Sequence, residues 1–296
     1  MTYPLQNPDS PLSVRIVSGL LLLVWPACAT PDVTRKAEAL YQQTKYGSSL
    51  EVLATDPAPD AATYALMGKN YFKLAEYRMA TQMFERAHSF SPQECEYELW
   101  LGRSYGRRAE TGSPLLAASN ASKARQHFEN AAALDPHNAD ALSDLFEYYL
   151  QAPEVLGGGL DKAERIAQKI AAERPAEAHF ALSELADRRK QYAEAETQLR
   201  QAIHLEPGQA GRVLDLAHYL AKRGRVAESD ALFVEASRLG PEDPRVLFER
   251  AETYIEQQRN PEEARNLLQQ YLNSSLTPDD PSKSAAKKLL RRVTSK

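Results

Sequence analysis

Cysteine, long apolar runs, net positive charge and the short signatures of catalysis are all scarce in this chain, and each scarcity removes a class of protein. Two cysteines, Cys28 and Cys95, stand in 296 residues. If the N-terminus is cut as argued below, Cys95 is left without a partner for an intrachain disulfide. Six histidines, His88, His127, His137, His179, His204 and His218, form no His-x-x-x-His pair and have no neighbouring cysteine, so no metal is assigned. No nucleophile elbow, P-loop or dinucleotide fingerprint occurs, and neither a catalytic set nor a cofactor is assigned. The glycine run Leu156-Gly157-Gly158-Gly159 precedes Leu160-Asp161-Lys162-Ala163. A phosphate cradle needs a strand before the run and Lys-Ser or Lys-Thr after it, so this run reads as a turn that needs glycine. A formal charge of −4 argues against a general nucleic-acid partner, while local basic patches remain open.

The one apolar run lies at the N-terminus, from Ile16 to Trp25, after a polar lead ending in Arg15 and before Pro26-Ala27-Cys28-Ala29. It is shorter than the roughly 18–20 residues that span a bilayer, and Ala27-x-Ala29 fits a small-residue cleavage rule. Residues 1–29 are therefore expected to be a secretory signal peptide cut after Ala29, giving an exported, periplasmic or envelope-associated protein. Two alternatives stay open: a lipoprotein anchored at Cys28, against which Trp25 counts, and a retained N-terminal anchor. Membrane contact is expected only through such an uncleaved or lipidated N-terminus. Cys95 has two readings, a redox or dimerising thiol and a small half-buried packing residue.

What fills the rest is helical periodicity. Tyr64, Met67, Gly68 and Tyr71 share one helix face at i, i+3, i+4, i+7, and Ala80, Phe84 and Ala87 share one face of the next, before Pro92. Gly68 and Ala80 are small where the two helices cross, beside the larger Tyr71 and Phe84. The arrangement resembles the tetratricopeptide repeat, a unit of about 34 residues that cannot bury its apolar faces alone and must stack. The resemblance implies an all-α solenoid of about five to six repeats.

In that register the chain divides into N-terminal capping helices (30–60), repeats at 61–94, 95–138, 139–175, 176–209 and 210–243, a degenerate sixth at 244–276, and a capping helix at 277–296. Pro92, Pro136, Pro175, Pro207 and Pro241, spaced by 44, 39, 32 and 34 residues, mark the repeat ends. Gly68 to Ala80 spans 12 residues, but Gly102 to Ala124 spans 22 and Phe146 to Ala163 spans 17, so repeats two and three carry insertions between their helices. Glu98 occupies the usual aromatic position of repeat two, with Trp100 displaced from it. Bulky Phe146 stands at the small position of repeat three, where Ala163 and Ala167 are expected to make room. Within 30–60, two short helices are expected, broken at Tyr46-Gly47.

The resemblance also implies that first helices line a concave groove. By register the groove residues are Lys69, Phe72, Lys73, Leu99, Arg103 and Arg107 in the first half. Glu147, Phe180, Glu184, Arg188, Leu214, His218 and Lys222 follow in the second, with Phe248, Glu252 and Glu256 beyond them. The first half reads as basic with apolar anchors, suited to an acidic and apolar extended peptide, and the second as mixed to acidic. The Lys and Asn clamp of chaperone-docking members is not matched, since Ala65 and Lys69 stand there. The insertions should emerge on one edge about 10 Å apart. There Leu115, Leu116, Val155 and Leu156 are expected either to meet as a lip beside the groove or to tuck onto their own helices. The expected function is a non-enzymatic scaffold holding a protein or peptide partner in the cell envelope; the alternative is a regulatory or substrate-presenting subunit of an envelope enzyme or assembly complex.

The N-terminal reading yields a direct test: intact-mass measurement of the protein from the envelope should give a chain beginning Thr30-Pro31. A diacylglyceryl mass on a chain beginning at Cys28 would replace cleavage with lipidation.

Overall fold

The computed structural model describes residues 30–294, and the expected cleavage after Ala29 and lipidation at Cys28 lie outside them. Among the described residues there are fifteen α-helices and no strand. Helix α1 (Thr30–Gln42) pairs with α2 (Tyr46–Leu53), α3 (Ala61–Lys73) with α4 (Tyr77–Phe90), and α5 (Cys95–Thr111) with α6 (Pro114–Leu134). Helix α7 (Ala139–Gln151) pairs with α8 (Leu160–Glu173) across a 3₁₀ turn at Glu154–Leu156. Helix α9 (Pro175–Arg188) pairs with α10 (Tyr192–Leu205), α11 (Ala210–Lys222) with α12 (Val226–Leu239), and α13 (Pro244–Glu256) with α14 (Pro261–Asn273). Helix α15 (Lys283–Thr294) closes the stack. The expected α-solenoid is thus the observed architecture. None of its described helices is long and apolar enough to cross a membrane.

The first two full hairpins are held by a ring set against a small residue. A Cβ added to Gly68 would fall 2.7 Å from the Phe84 ring, and one added to Gly102 would fall 2.5 Å from the Phe128 ring. Both are closer than carbon atoms tolerate, so the glycines set the approach of α3 to α4 and of α5 to α6. In the third repeat the sizes are exchanged: Phe146 is on the first helix and Ala167 on the second, both buried in one core cluster with Ala163. The exchange keeps the interhelical volume filled. The cap follows the same logic. The Ser282 hydroxyl accepts the Ala285 N–H at 3.1 Å, and Ala286, Leu289 and Val293 are buried against α13 and α14.

Five of the hairpins share one turn. Thr44, Ala75, Lys190, Gly224 and Gln258 have φ of 57°, 63°, 60°, 77° and 54°. In each turn the next N–H reaches back to the preceding helix, as Glu76 donates to the Tyr71 carbonyl at 2.9 Å. This is the left-handed closure that favours glycine, yet glycine fills it once.

Three expectations need correction. The insertion in repeat two is not a loop: it lengthens α5 to 17 residues and α6 to 21, with only Gly112 and Ser113 between them. Pro114 pre-sets the helical φ at the first position of α6, which lets the extra residues join the helix. Pro175 does not lie in a turn; it opens α9 directly after Arg174. Within 30–60 the break falls at 43–45, and buried Tyr46 opens α2 and packs on Tyr41 at 5.6 Å.

The stack also bends until its ends meet. The Lys73 ammonium donates to the Pro278 carbonyl, 205 residues away in sequence. A cleft of about 510 Å³ separates Tyr46, Leu74 and Tyr77 at one end from Leu276, Pro281 and Ala285 at the other.

Glycine placement therefore has opposite effects at two kinds of site. Ala75→Gly should raise stability by about 0.5–1 kcal/mol by relieving the left-handed residue, and Gly102→Ala should lower it by about 1–3 kcal/mol through the Phe128 clash. Urea unfolding of both variants checks the signs; the same sign for both would contradict this packing.

Candidate functional site

The first helices α3, α5, α7, α9, α11 and α13 present their register-matched side chains to a concave wall. In the N-terminal half, Lys69, Lys73 and Arg103 line one cavity of about 810 Å³ with Trp100 between them. Arg103 and Arg107 line a second, of about 330 Å³, with Phe72. The expected cations are therefore brought together. They are also neutralised. Lys69 pairs with Glu96 at 2.6 Å, and Arg103 binds Asp144 and reaches Asp140 at 3.4 Å. Arg107 binds Glu110 and lies over the Tyr77 ring at 5.3 Å. Lys73 is taken up by Pro278, and burial lowers its pKa against the opposing pull of Asp279. In the half that reads as basic in the sequence, the four expected cations are thus taken up, and Arg174, at the rim of the 810 Å³ cavity, has no ion pair among the described residues.

The C-terminal half is different. A cavity of about 570 Å³ is lined by Glu147, Phe180, Glu184, Asp187, Asp215, His218, Lys222 and Glu256 among others. Burial raises the carboxyl pKa of Glu147 and of Glu184. Glu184 pushes Glu147 further up against the pull of Arg188, and Lys222 and then Arg188 oppose the shift of Glu184. Burial likewise raises Glu252, with Glu256 adding to it. Asp215 is pushed up to about 7, mainly by burial, against the pull of Arg212 at 3.6 Å. Lys222 pairs with Asp187 at 2.8 Å, and His218 bridges Glu249 at 3.0 Å and Thr253 at 2.8 Å. This half fits the mixed-to-acidic reading.

Two expected anchors, Leu214 and Phe248, are absent from the wall, 1% and 6% exposed and within core clusters, and Leu99, 4% exposed, reaches only the edge of the 810 Å³ cavity. Phe248 packs on the Tyr271 ring of α14, the partner helix in its own hairpin, at 5.2 Å. The apolar lip does not form as a contact either. Leu115 and Val155 are 93% and 90% exposed, and Leu116 is also exposed. Only Leu156 turns inward, lining the 330 Å³ cavity with Ala121 and Tyr148. Because Leu115 and Leu116 lie at the tip of a lengthened hairpin, they are carried away from the 3₁₀ turn.

One buried constellation escaped the sequence reading. Glu98 is 5% exposed and accepts from His127 at 2.6 Å, from His88 at 3.1 Å and from Asn130 at 3.3 Å. Burial would raise its pKa, but hydrogen bonding and charge from His127 and His88 outweigh that and hold it low. The only sequence signal was a carboxylate where an aromatic belongs. Trp100 compensates by stacking on Phe84 at 5.5 Å and 10°, with the Arg103 guanidinium at 5.0 Å. Cys95 is half-buried, its thiol donates to the Ala131 carbonyl at 3.3 Å, and burial raises its pKa, which fits packing rather than redox chemistry. No group of three or more metal-ligating side chains suited to a metal ion occurs among the described residues.

The two carboxylates should answer pH oppositely. Asp215 has a folded pKa above its ordinary 3.8, so its protonated form favours the fold below that value and the contribution is lost as pH rises towards 7. Glu98 has a lowered folded pKa, so its contribution is present above its ordinary 4.5 and lost in acid. Relative to the parent, Asp215→Asn should gain stability, by on the order of 1 kcal/mol, between pH 5 and 8. Glu98→Gln should be destabilised at pH 7 and recover towards pH 3. Parallel thermal melts across pH check both.

Residues 214–281 match the family model of the tetratricopeptide repeat. No curated protein matches the chain by sequence. A tetratricopeptide repeat protein from Parabacteroides merdae is similar in fold, with a TM-score of 0.59 and 17% identity, covering 89% of this chain and 98% of that one. A thermophilic TPR protein from Thermus thermophilus gives a TM-score of 0.50 and 22% identity over 66% of this chain and 99% of that one. The APC/C hetero-tetramer Cut9-Hcn1 holds a chain similar over 89% of this one and 49% of its own length, at a TM-score of 0.51 and 18% identity. Residues 214–281 thus carry the tetratricopeptide-repeat signature, and the stacked hairpins closed by a capping helix give the described chain the fold of tetratricopeptide-repeat solenoids.

Proposed function

We propose that the chain is a non-enzymatic scaffold that holds a protein or peptide partner in its concave groove. The observation that carries this reading is the lining of the groove. Side chains of successive first helices, Phe72, Arg103, Glu147, Phe180, Glu184 and Lys222, border connected cavities, while the second helices turn their small and aromatic residues into the core. Such a wall offers spaced polar contacts and apolar walls to an extended chain. Location in the cell envelope rests on Arg15, the run from Ile16 to Trp25 and Ala27-x-Ala29.

Photo-crosslinking in the native cell tests the surface. A photoreactive residue in place of Arg188, on the groove, should yield a discrete adduct, and one in place of Glu235, exposed on α12, should not. Equal adducts at both positions, or adducts only at Glu235, would remove the groove as the binding face.

A further inference from the structure

The groove carries a preference of sign opposite to the one its basic first half implies. Its apolar part is the cavity of about 330 Å³ between α5, α6 and α7, walled by Phe72, Phe128, Tyr148, Ala152, Pro153 and Leu156. Glu147 borders this cavity and also the next one, of about 570 Å³, so the two are neighbours along one path. The second cavity is lined by five carboxylates, Glu147, Glu184, Asp187, Asp215 and Glu256, and by one ammonium, Lys222.

Pairing decides which charges are available. Asp187 is engaged by Lys222 at 2.8 Å and by Arg223, and Asp215 has Arg212 at 3.6 Å. For Glu147, Glu184 and Glu256 no cation stands within the 4.0 Å of a salt bridge among the described residues; from farther off, Arg188 acts on Glu147, and Lys222 and then Arg188 act on Glu184. A concave surface focuses such a field and favours a cation from outside. At the opposite end Arg103 and Arg107 are paired with carboxylates and Lys73 is held by the connector that carries Asp279 and Asp280, which leaves Arg174 as the guanidinium of that cavity without an ion pair among the described residues.

The geometry points to a partner that docks through an extended basic segment, with an apolar side chain in the cavity beside Phe72 and Tyr148 and Lys or Arg against Glu147, Glu184 and Glu256. At about 3.3 Å per extended residue, the apolar and basic residues stand a few positions apart. This rests on the scaffold reading and names its partner chemistry. An acidic segment would face five carboxylates with Arg188 as the unpaired guanidinium beside Glu147 and Glu184.

The test uses the full chain and three fluorescein-labelled peptides read by anisotropy: Ala-Leu-Ala-Lys-Ala-Arg-Ala, the same peptide with Glu for Lys and Arg, and the same peptide with Ser for Leu. The basic apolar peptide should bind, more weakly by at least about tenfold on going from about 50 mM to about 500 mM salt. The acidic peptide should not bind, and the Ser peptide should bind several-fold more weakly. Glu184→Gln with Glu256→Gln should reduce binding about tenfold while circular dichroism and the melting temperature hold. Ala121→Leu, which fills the apolar cavity, should remove the advantage of Leu over Ser. Equal or tighter binding of the acidic peptide, no binding of the basic one, or full binding by the double Gln variant overturns the proposal. So does concentration-dependent self-association in light scattering that competes with the peptide, which would make a second copy the occupant. A groove adduct at Arg188 whose crosslinked segment is acidic would overturn the basic-partner inference and leave the scaffold reading standing; adducts only at Glu235 would sink the scaffold reading itself.

Discussion

The fold depends on one contact repeated along the chain: a bulky side chain of one helix seated on a small residue of its partner. Phe84 on Gly68 and Phe128 on Gly102 are its clearest forms, since the rings leave no space for even a methyl group on the facing helix. Phe84 is fully buried, and burying a side chain of that kind is worth roughly 2–3 kcal/mol. An exposed ion pair is worth about 0–1 kcal/mol. The many charged pairs along the wall therefore tune the surface of a stack that ring packing holds together.

That hierarchy explains how the chain tolerates its irregular repeats. In repeat three the large and small residues trade helices, so that Phe146 meets Ala163 and Ala167 in the same core without a change in the stacking. Repeat two carries a carboxylate at an aromatic position, and Glu98 remains buried there because His88, His127 and Asn130 satisfy it. Unpaired, such a carboxylate would be costly to bury. The additional residues of that repeat lengthen both helices, leaving Leu115 exposed at the tip.

The proposed partner preference rests on charge that is left over once the helices are stacked. Cations gathered on the N-terminal half come with their counter-ions: Glu96 is one turn ahead of Trp100 on α5 and meets Lys69 of α3, while Asp140 and Asp144 on α7 meet Arg103. Curvature then brings the acidic connector after α14 back to Lys73. On the other half, Glu147, Glu184 and Glu252 sit on first helices where burial, and then neighbouring carboxylates, raise their pKa values, and the proposed basic partner would meet them there.

The sequence by itself determined the class of fold, the repeat register, the small-against-large logic of each hairpin and the capping helix. These are local: spacing of apolar residues along one helix and its immediate partner dictates them. It also located both insertions and the glycine turn at Gly157 and Gly159, whose φ values are 89° and 149°. Only the tertiary structure decided what the groove presents. Whether Leu99 and Leu214 face a partner or the next hairpin depends on how closely neighbouring repeats stack, and both are buried. Whether Lys73 and Arg103 are free depends on carboxylates and carbonyls 37 to 205 residues away that stacking and superhelical curvature bring to them. Periodicity carries no information about such distant pairings, because the charge on a wall is the sum over helices that meet only in three dimensions.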